Sequence, residues 1–399
     1  MANTILTPTQ VTRKALFILH QKLNFVGSIY RDYDSQFAKD GAKIGSNLNI
    51  RLPNQYTVRT GPTLSAQDTT ETSVQLQIST QKGVDVNFTS QDLTLSLDDF
   101  SERILDPAMA VLAASIEADA MSMVNDVYNQ VSNTGSAITF NKVLNSRKLL
   151  VDNLAPPSGR SCSLNTQDNV DLVDALKGLF QDGPSIAKQY REGYLGHTAG
   201  FDFLENTLWP SHTVGTKAGA GAVNGGGQTG SAVVTNGWTA SQTGLLKKGD
   251  IVTFAGCLRV HPESKIATPT LQQFVVTADV NSDGSGNATL PISPAIATSG
   301  AAQNVSASPT ASGAVIVAGT ANAAHGVSLA YHEQAFCFAT ADLVMPKGVD
   351  FSAREVQDGI SMRIVRAYDI NNDKFPTRID VLYGYKTVRP QLAARLANN

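Results

Sequence analysis

"GLLKKGDIVTFAG", residues 244–256, is a basic turn running into a strand that alternates apolar and polar side chains. It follows a Gly-rich tract and lies in a stretch with almost no helical periodicity. Working outward, residues 214–326 carry only nine charges: Lys217, Lys247, Lys248, Asp250, Arg259, Glu263, Lys265, Asp279 and Asp283. Five strand candidates ("AVVT", "DIVTFAG", "FVVTADV", "ATLPI", "AVIVAG") are separated by Gly, Ser, Asn and Pro turns. That spacing predicts a small β-sandwich or barrel. The chain on either side mixes helices with strands, so the β island reads as an insertion into a discontinuous α+β host.

The N-terminal flank supports this reading. Thr7-Pro8-Thr9-Gln10 has the residues of a helix start: Thr7 as N-cap, Pro8 at the first position, Gln10 completing a capping box. The helix after it turns Val11, Ala15, Ile18 and Leu19 to one side and Arg13, Lys14 and Lys22 largely to the other, ending near Gly27. From Ser46 to Thr89 the pattern becomes strand-like. "NLNIRLP" alternates, and "TSVQLQIST" and "VDVNFTS" alternate around Lys82-Gly83, which reads as a hairpin turn. The polar segment between the first two strands has no core pattern, so residues 41–90 are expected to form an extended two-stranded loop.

The longest helix is expected at Asp106–Tyr128, with Asp106 as cap and Pro107 at the first position. Leu112, Ile116, Ala120, Val124 and Val127 recur on its apolar face, widened by Ala110, Ala113, Ala114 and Ala118. A shorter helix, "LDDFSERIL", leads into it. Further helices are expected at Phe140–Asn153 and in "TQDNVDLVDALKGLF", the latter with Val170, Leu172, Val173 and Leu176 inside. "SCSLNT" reads as a strand, and "GYLGHTAGFDFLENTLWP" as a Gly-punctuated turn entering a short strand.

Composition narrows the function. Over 399 residues the net charge is -3 and charged residues make up 16%, against roughly 25% in ordinary soluble domains. That deficit favours a surface largely covered in an assembly. No basic cluster exceeds Lys247–Lys248, which argues against a dedicated nucleic-acid binder. Three widely spaced cysteines fit neither a disulfide framework nor a zinc spacing and point to a reducing compartment. "MANTILTPTQ" lacks the features of a signal peptide. The apolar run "PAMAVLAASI" is stopped by Glu117, too short to span a membrane. The chain reads as a soluble intracellular product.

No catalytic motif survives scrutiny. Gly225–Gly230 matches GxGxxG, but a strand does not precede it nor a helix follow it, as a pyrophosphate site requires. Asp279–Gly284 opens like a calcium loop, yet Leu290 stands where a bidentate Glu belongs. Asp369, Asn371 and Asp373 are followed by Lys374 in place of Gly. The six histidines never fall at a metal-ligand spacing. His332-Glu333, read as strand neighbours, face opposite ways. The sequence therefore points to no enzyme, no cofactor and no metal site.

Four stretches taken in order, "YLGHTAGFDFLENTLWP", "GLLKKGDIVTFAG", "LAYHEQAFCFATADL" and "RIDVLYGYKTVRPQLAARL", resemble the coat proteins of tailed bacteriophages of the P22 type. The β island is similar to the domain that this branch inserts into the HK97 major-capsid fold. The resemblance implies an α+β fold with an N-terminal arm (1–40), an E-loop hairpin (41–90), a peripheral and axial domain in two parts (91–213 and 327–399) with a spine helix, and the inserted all-β domain (214–326). It implies a major capsid protein that assembles into hexamers and pentamers of an icosahedral shell, located in the virion and assembled in the bacterial cytoplasm. The shell would enclose double-stranded DNA without sequence-specific binding, with a scaffolding protein and a portal as further partners and no membrane. Arg51, Arg59 and Glu71 are candidate inter-subunit contacts; Arg13, Lys14 and Lys22 are candidates for contacting a scaffold. The alternatives are a β-domain decoration protein or adhesin, which would lack the long helix, and an enzyme, which would show converging titratable groups.

Overall fold

A computed structural model describes residues 8–34, 47–59, 61–64, 66–68, 71–88, 101–176, 195–370 and 374–398. The chain divides into two compact units. One comprises Met1–Arg51, Ser73–Met121 and Phe336–Val388; the other comprises Leu52–Thr72, Ser122–Ala335 and Arg389–Asn399.

The first unit is built on a six-stranded sheet whose centre is the 13-residue strand Phe375–Thr387. Its alternation of apolar residues (Ile379, Val381, Tyr383) gives a buried face. Along one edge it pairs antiparallel with Thr80–Phe88, in register Phe375↔Phe88 to Tyr383↔Thr80. Along the other it pairs first with Ile360–Arg366 and then with Phe336–Ala341. Phe351–Gln357 and the parallel strand Tyr30–Asp34 complete the sheet. Helix Pro8–Lys22 packs on strand Phe351–Gln357 and on the long helix, burying Val11, Ala15, Ile18 and Leu19 as its periodicity predicts. It ends at Lys22, and Phe25–Ser28 forms a separate turn. The Thr7 cap lies outside the described residues.

Two expectations are overturned here. Lys82-Gly83 is no turn but the interior of a strand, and Ser73–Gln77 pairs with Asn47–Arg51 instead. The glycine is there for space: a Cβ on Gly83 would lie 2.4 Å from the Ile379 carbonyl oxygen and 2.5 Å from Asp380 Oδ1. Asp380 is fully buried and holds two guanidinium groups, Arg363 and Arg378, each at 2.7 Å. Lys82, beside it, ion-pairs with Asp119 of the long helix at 2.7 Å, and Tyr383 donates to the same carboxylate at 2.6 Å.

The long helix also differs from its reading. It spans Asp106–Met121, is preceded without a break by a π-turn (Ser101–Leu105), and runs into a 3-10 turn (Ser122–Asp126). Asp106 therefore caps nothing. Pro107 has no N–H to donate and its ring crowds the carbonyl of the preceding turn, which accounts for the widened turn before it. Nor does Glu117 stop the helix. It is buried, and its carboxylate accepts hydrogen bonds from the Phe25 and Val26 amides, both at 3.2 Å. The helical run Arg103–Asp126 is long and apolar enough to cross a membrane by length and composition. Met109, Leu112, Ile116 and Met121 are nevertheless buried in the protein's own core.

The second unit holds a six-stranded mixed sheet in the order 130–132, 393–397, 327–332, 160–164, 201–205, 197–198. Helix Phe140–Asp152 packs on it. Helix Thr166–Leu176 is capped by Asn165, whose side chain accepts from the Asp168 amide at 2.7 Å. The buried Asp168 carboxylate in turn receives Ser328 Oγ (2.5 Å) and Asn398 Nδ2 (2.9 Å). Asp168, Leu172 and Leu176 define the inward face, so Val170, expected inside, is exposed.

The island is a six-stranded antiparallel sheet in the order 219–223, 230–238, 288–296, 267–276, 251–260, 315–317. An Ala222↔Ala314 bridge and the Val223 amide on the Gly313 carbonyl (2.9 Å) join its end strands, closing it into a barrel. Val233, Trp238, Phe254, Phe274 and Leu290 fill it. Gly225–Thr229 lies in the turn between its first two strands, Gly230 opens the second, and the Gly/Ala tract before the turn, where the sequence offered no strand, is itself one.

Candidate functional site

The sequence nominates surfaces rather than a pocket, and the structure places them on two elements. Asn47–Arg51 and Ser73–Gln77 pair antiparallel from Asn47↔Gln77 to Arg51↔Ser73. Their alternation is shallow: only Leu76 is fully buried, while the polar alternates face solvent. Residues 52–72 continue this ribbon as a loop, tied at its base by the Leu52 amide on the Thr72 carbonyl (2.9 Å). In its middle, Gln67 imitates a strand partner. It accepts from the Thr57 amide at 2.9 Å and donates to the Thr57 carbonyl at 2.6 Å.

Of the three candidates here, Arg51 ends the first strand and is exposed, and Glu71 is exposed at the loop base. Arg59 folds over the loop's own tip, donating to the carbonyls of Gly61 and Thr63, the latter at 3.1 Å. Gly61 supports that turn with a positive φ of 97°. The structure does not bring the three together. Apolar residues that sequence reasoning passed over stand out more: Tyr56 is exposed, Val58 is 94% exposed and Leu64 82% exposed. The three apolar side chains lie within one loop, two of them almost wholly exposed. Their signal was present in the sequence, as large apolar residues inside a polar segment with no core periodicity.

The second element is helix Pro8–Lys22. Arg13 ion-pairs with Glu355 at 3.6 Å across to strand Phe351–Gln357. Lys14 is exposed, and with Arg13, Phe17, Glu355 and Val356 it lines an open hollow of about 710 Å³. Phe17 and Val356 supply its apolar floor, both substantially exposed. Lys22 is exposed at the helix C-terminus, where a cation complements the helix dipole. Arg13 and Lys14 are thus brought to one hollow, and Lys22 lies two turns away.

Among the described residues no three of His, Cys, Asp or Glu are grouped to hold a metal. Asp283 spends its carboxylate on its own turn, accepting from the Ser285 and Asn287 amides, both at 2.8 Å. Asp369 and Lys374 form an isolated antiparallel bridge, and Asn371 and Asp373 lie outside the described residues. His332 ends its strand and Glu333 opens a 3-10 turn, so strand alternation does not govern that pair. The cysteines Cys162, Cys257 and Cys337 are buried thiols.

Compared with known proteins, the chain matches a family model described as "P22 coat protein - gene protein 5" over residues 36–395. No curated protein sequence matches it. Among solved structures it is similar to one from Mycobacterium phage Che8, at 13% identity and a TM-score of 0.42, covering 91% of this chain and 88% of that one. It is similar to the capsid of cyanophage P-SCSP1u at 10% identity and a TM-score of 0.44, covering 93% and 86%. It is similar to the mature capsid of bacteriophage PhiM1 at 9% identity and a TM-score of 0.43, covering 94% and 87%. The family match, which spans most of the chain, carries the assignment.

Proposed function

This chain belongs to the P22 coat protein family, and from that premise we propose that its subunits tile an icosahedral shell as hexamers and pentamers around a double-stranded DNA genome. It is a major capsid protein of HK97-like fold that self-assembles into capsid shells, and its place is the virion. The fold and family are structural rather than enzymatic. The observation supporting the tiling mode is the 52–72 loop, which presents Tyr56, Val58 and Leu64 with no apolar cover from its own segment. On a neighbouring subunit these side chains would lose water contact, and Arg51, Arg59 and Glu71 would supply polar contacts around them. A surface low in charge keeps the desolvation cost of such contacts small in each quasi-equivalent setting.

The hollow beside helix Pro8–Lys22, with Lys14 on its rim and an apolar floor, suits an amphipathic segment of a scaffolding protein. A portal at one vertex and assembly in the host cytoplasm complete the reading. A net charge of -3 suits the inner wall of a DNA-filled shell, where a basic lining would retain the genome. Electron microscopy of the purified full-length chain under assembly conditions tests the reading. Closed shells or polyheads are expected; a population that stays as discrete monomers at every protein concentration refutes it.

A further inference from the structure

The chain enters and leaves the barrel through two short strands, His212–Thr213 and Ala324–His325, which pair antiparallel with His325 opposite His212. Their rings meet edge to face at 5.4 Å. This neck is flanked from the barrel side by the turn at Lys247–Asp250 and from the sheet side by strand Ala393–Ala397. Asp250, buried, accepts from His212 Nε2 at 2.8 Å, from the Lys247 amide at 2.8 Å and from the Gly215 amide at 3.1 Å. Arg395, 1% exposed, donates from Nη2 to the Gly249 carbonyl at 2.6 Å. Gly249 takes a positive φ of 98°, and a Cβ there would lie 2.9 Å from Asn125 Oδ1 and 3.1 Å from His212 Cε1. His325 is buried in the middle, and neither of its ring nitrogens has a protein partner.

We propose that this histidine neck is a proton-sensitive joint between the inserted barrel and the sheet that carries it, closed while His325 is neutral and loosened when it is protonated. The groups facing His325 decide the sign. His212 comes from the paired strand, Arg395 from the sheet and Asp250 from the barrel turn; Asp126, next to Arg395, is shared with Lys248 at 3.7 Å. One buried carboxylate, already holding His212 and two amides, faces an arginine and two histidines. A proton added to His325 would sit on a buried ring whose nitrogens face no acceptor. Burial first, then His212 and Arg395, hold the His325 ring down to about 4 from an ordinary 6.5. A depressed basic group contributes stability that is complete above pH 6.5 and is lost as pH falls through about 4.

The test is amide hydrogen exchange on the full-length chain as a function of pH, expressed as protection factors. Neck reporters are Val214, bonded to the Ala323 carbonyl, and Asn398, bonded to the Gly326 carbonyl; barrel references are Trp238 and Thr310. Neck protection is expected to fall at least about tenfold between pH 6.5 and 4, since each unit of pKa depression is a factor of ten. Barrel protection should hold. His325→Leu, which cannot be protonated, should flatten the neck profile, whereas His197→Gln, at an exposed site, should leave it unchanged. A flat wild-type profile overturns the proposal, as does an unaltered acid response in His325→Leu. Should that variant not fold, NMR titration of the wild-type ring decides: a midpoint near the ordinary histidine value with the neck still protected overturns the joint.

Discussion

Single residues explain where the polar interior of this protein comes from. Gly83 exists for Asp380, and Asp380 for two arginines, so a glycine that looks like a turn is a cavity cut for a carboxylate. No periodicity reveals this, because the residues involved are almost 300 apart in sequence. Glu117 is the sharper case. In the sequence it ends an apolar run, but tertiary contacts turn it inward to receive the Phe25 and Val26 amides. Burial pushes its carboxyl up to about 7 against those hydrogen bonds. A raised acid contributes stability that is complete below pH 4.5 and is lost as pH rises through about 7. Glu117→Gln keeps an acceptor without the charge. Urea melts should show it more stable than wild type at about pH 8, by up to about 3 kcal/mol, and no better at about pH 4.5. Equal pH profiles for the two proteins would refute the assignment.

At the scale of elements, the face of the N-terminal helix is legible in the sequence and strand partners are not. Val11, Ala15, Ile18 and Leu19 are buried because a 3.6-residue period fixes a face without reference to what covers it. A strand's period fixes a face but names no neighbour, so Ser73–Gln77 was given to the wrong partner. The barrel's first strand, Gly219–Val223, was missed for a related reason. Its glycines are set by Trp238, whose ring atoms would lie about 2.1 Å from a Cβ on Gly221, and that neighbour arrives seventeen residues later. The 52–72 loop carries the assembly prediction. Replacing Tyr56, Val58 and Leu64 together with Ser should lower the subunit's melting temperature only slightly, because Val58 and Leu64 are 94% and 82% exposed and Tyr56 57%. Shell yield, measured by sedimentation, should collapse. Normal shells from that variant would remove the loop from the interface.

For the whole molecule, the chain builds two compact units from interleaved segments and completes a barrel inside one of them. The barrel core, from Val223 to Val315, is made entirely of its own residues. A fragment spanning 214–326 should therefore melt cooperatively by circular dichroism, with the native barrel's near-ultraviolet signal from Trp238. A featureless, gradual melt would show that the barrel depends on its host. The sequence by itself determined that a β-rich, charge-poor domain interrupts an α+β host, that a long apolar helix precedes it, and, through the ordered resemblance, the capsid family. These are properties of local pattern and composition, which the chain carries wherever it folds. Only the tertiary structure decided which strands pair, that Glu117 and Asp380 lie inside, that the Gly/Ala tract closes a barrel, and that His212 meets His325 at its neck. Each of those depends on groups distant in sequence entering one low-dielectric space, where desolvation and the need for a hydrogen-bond partner set the outcome.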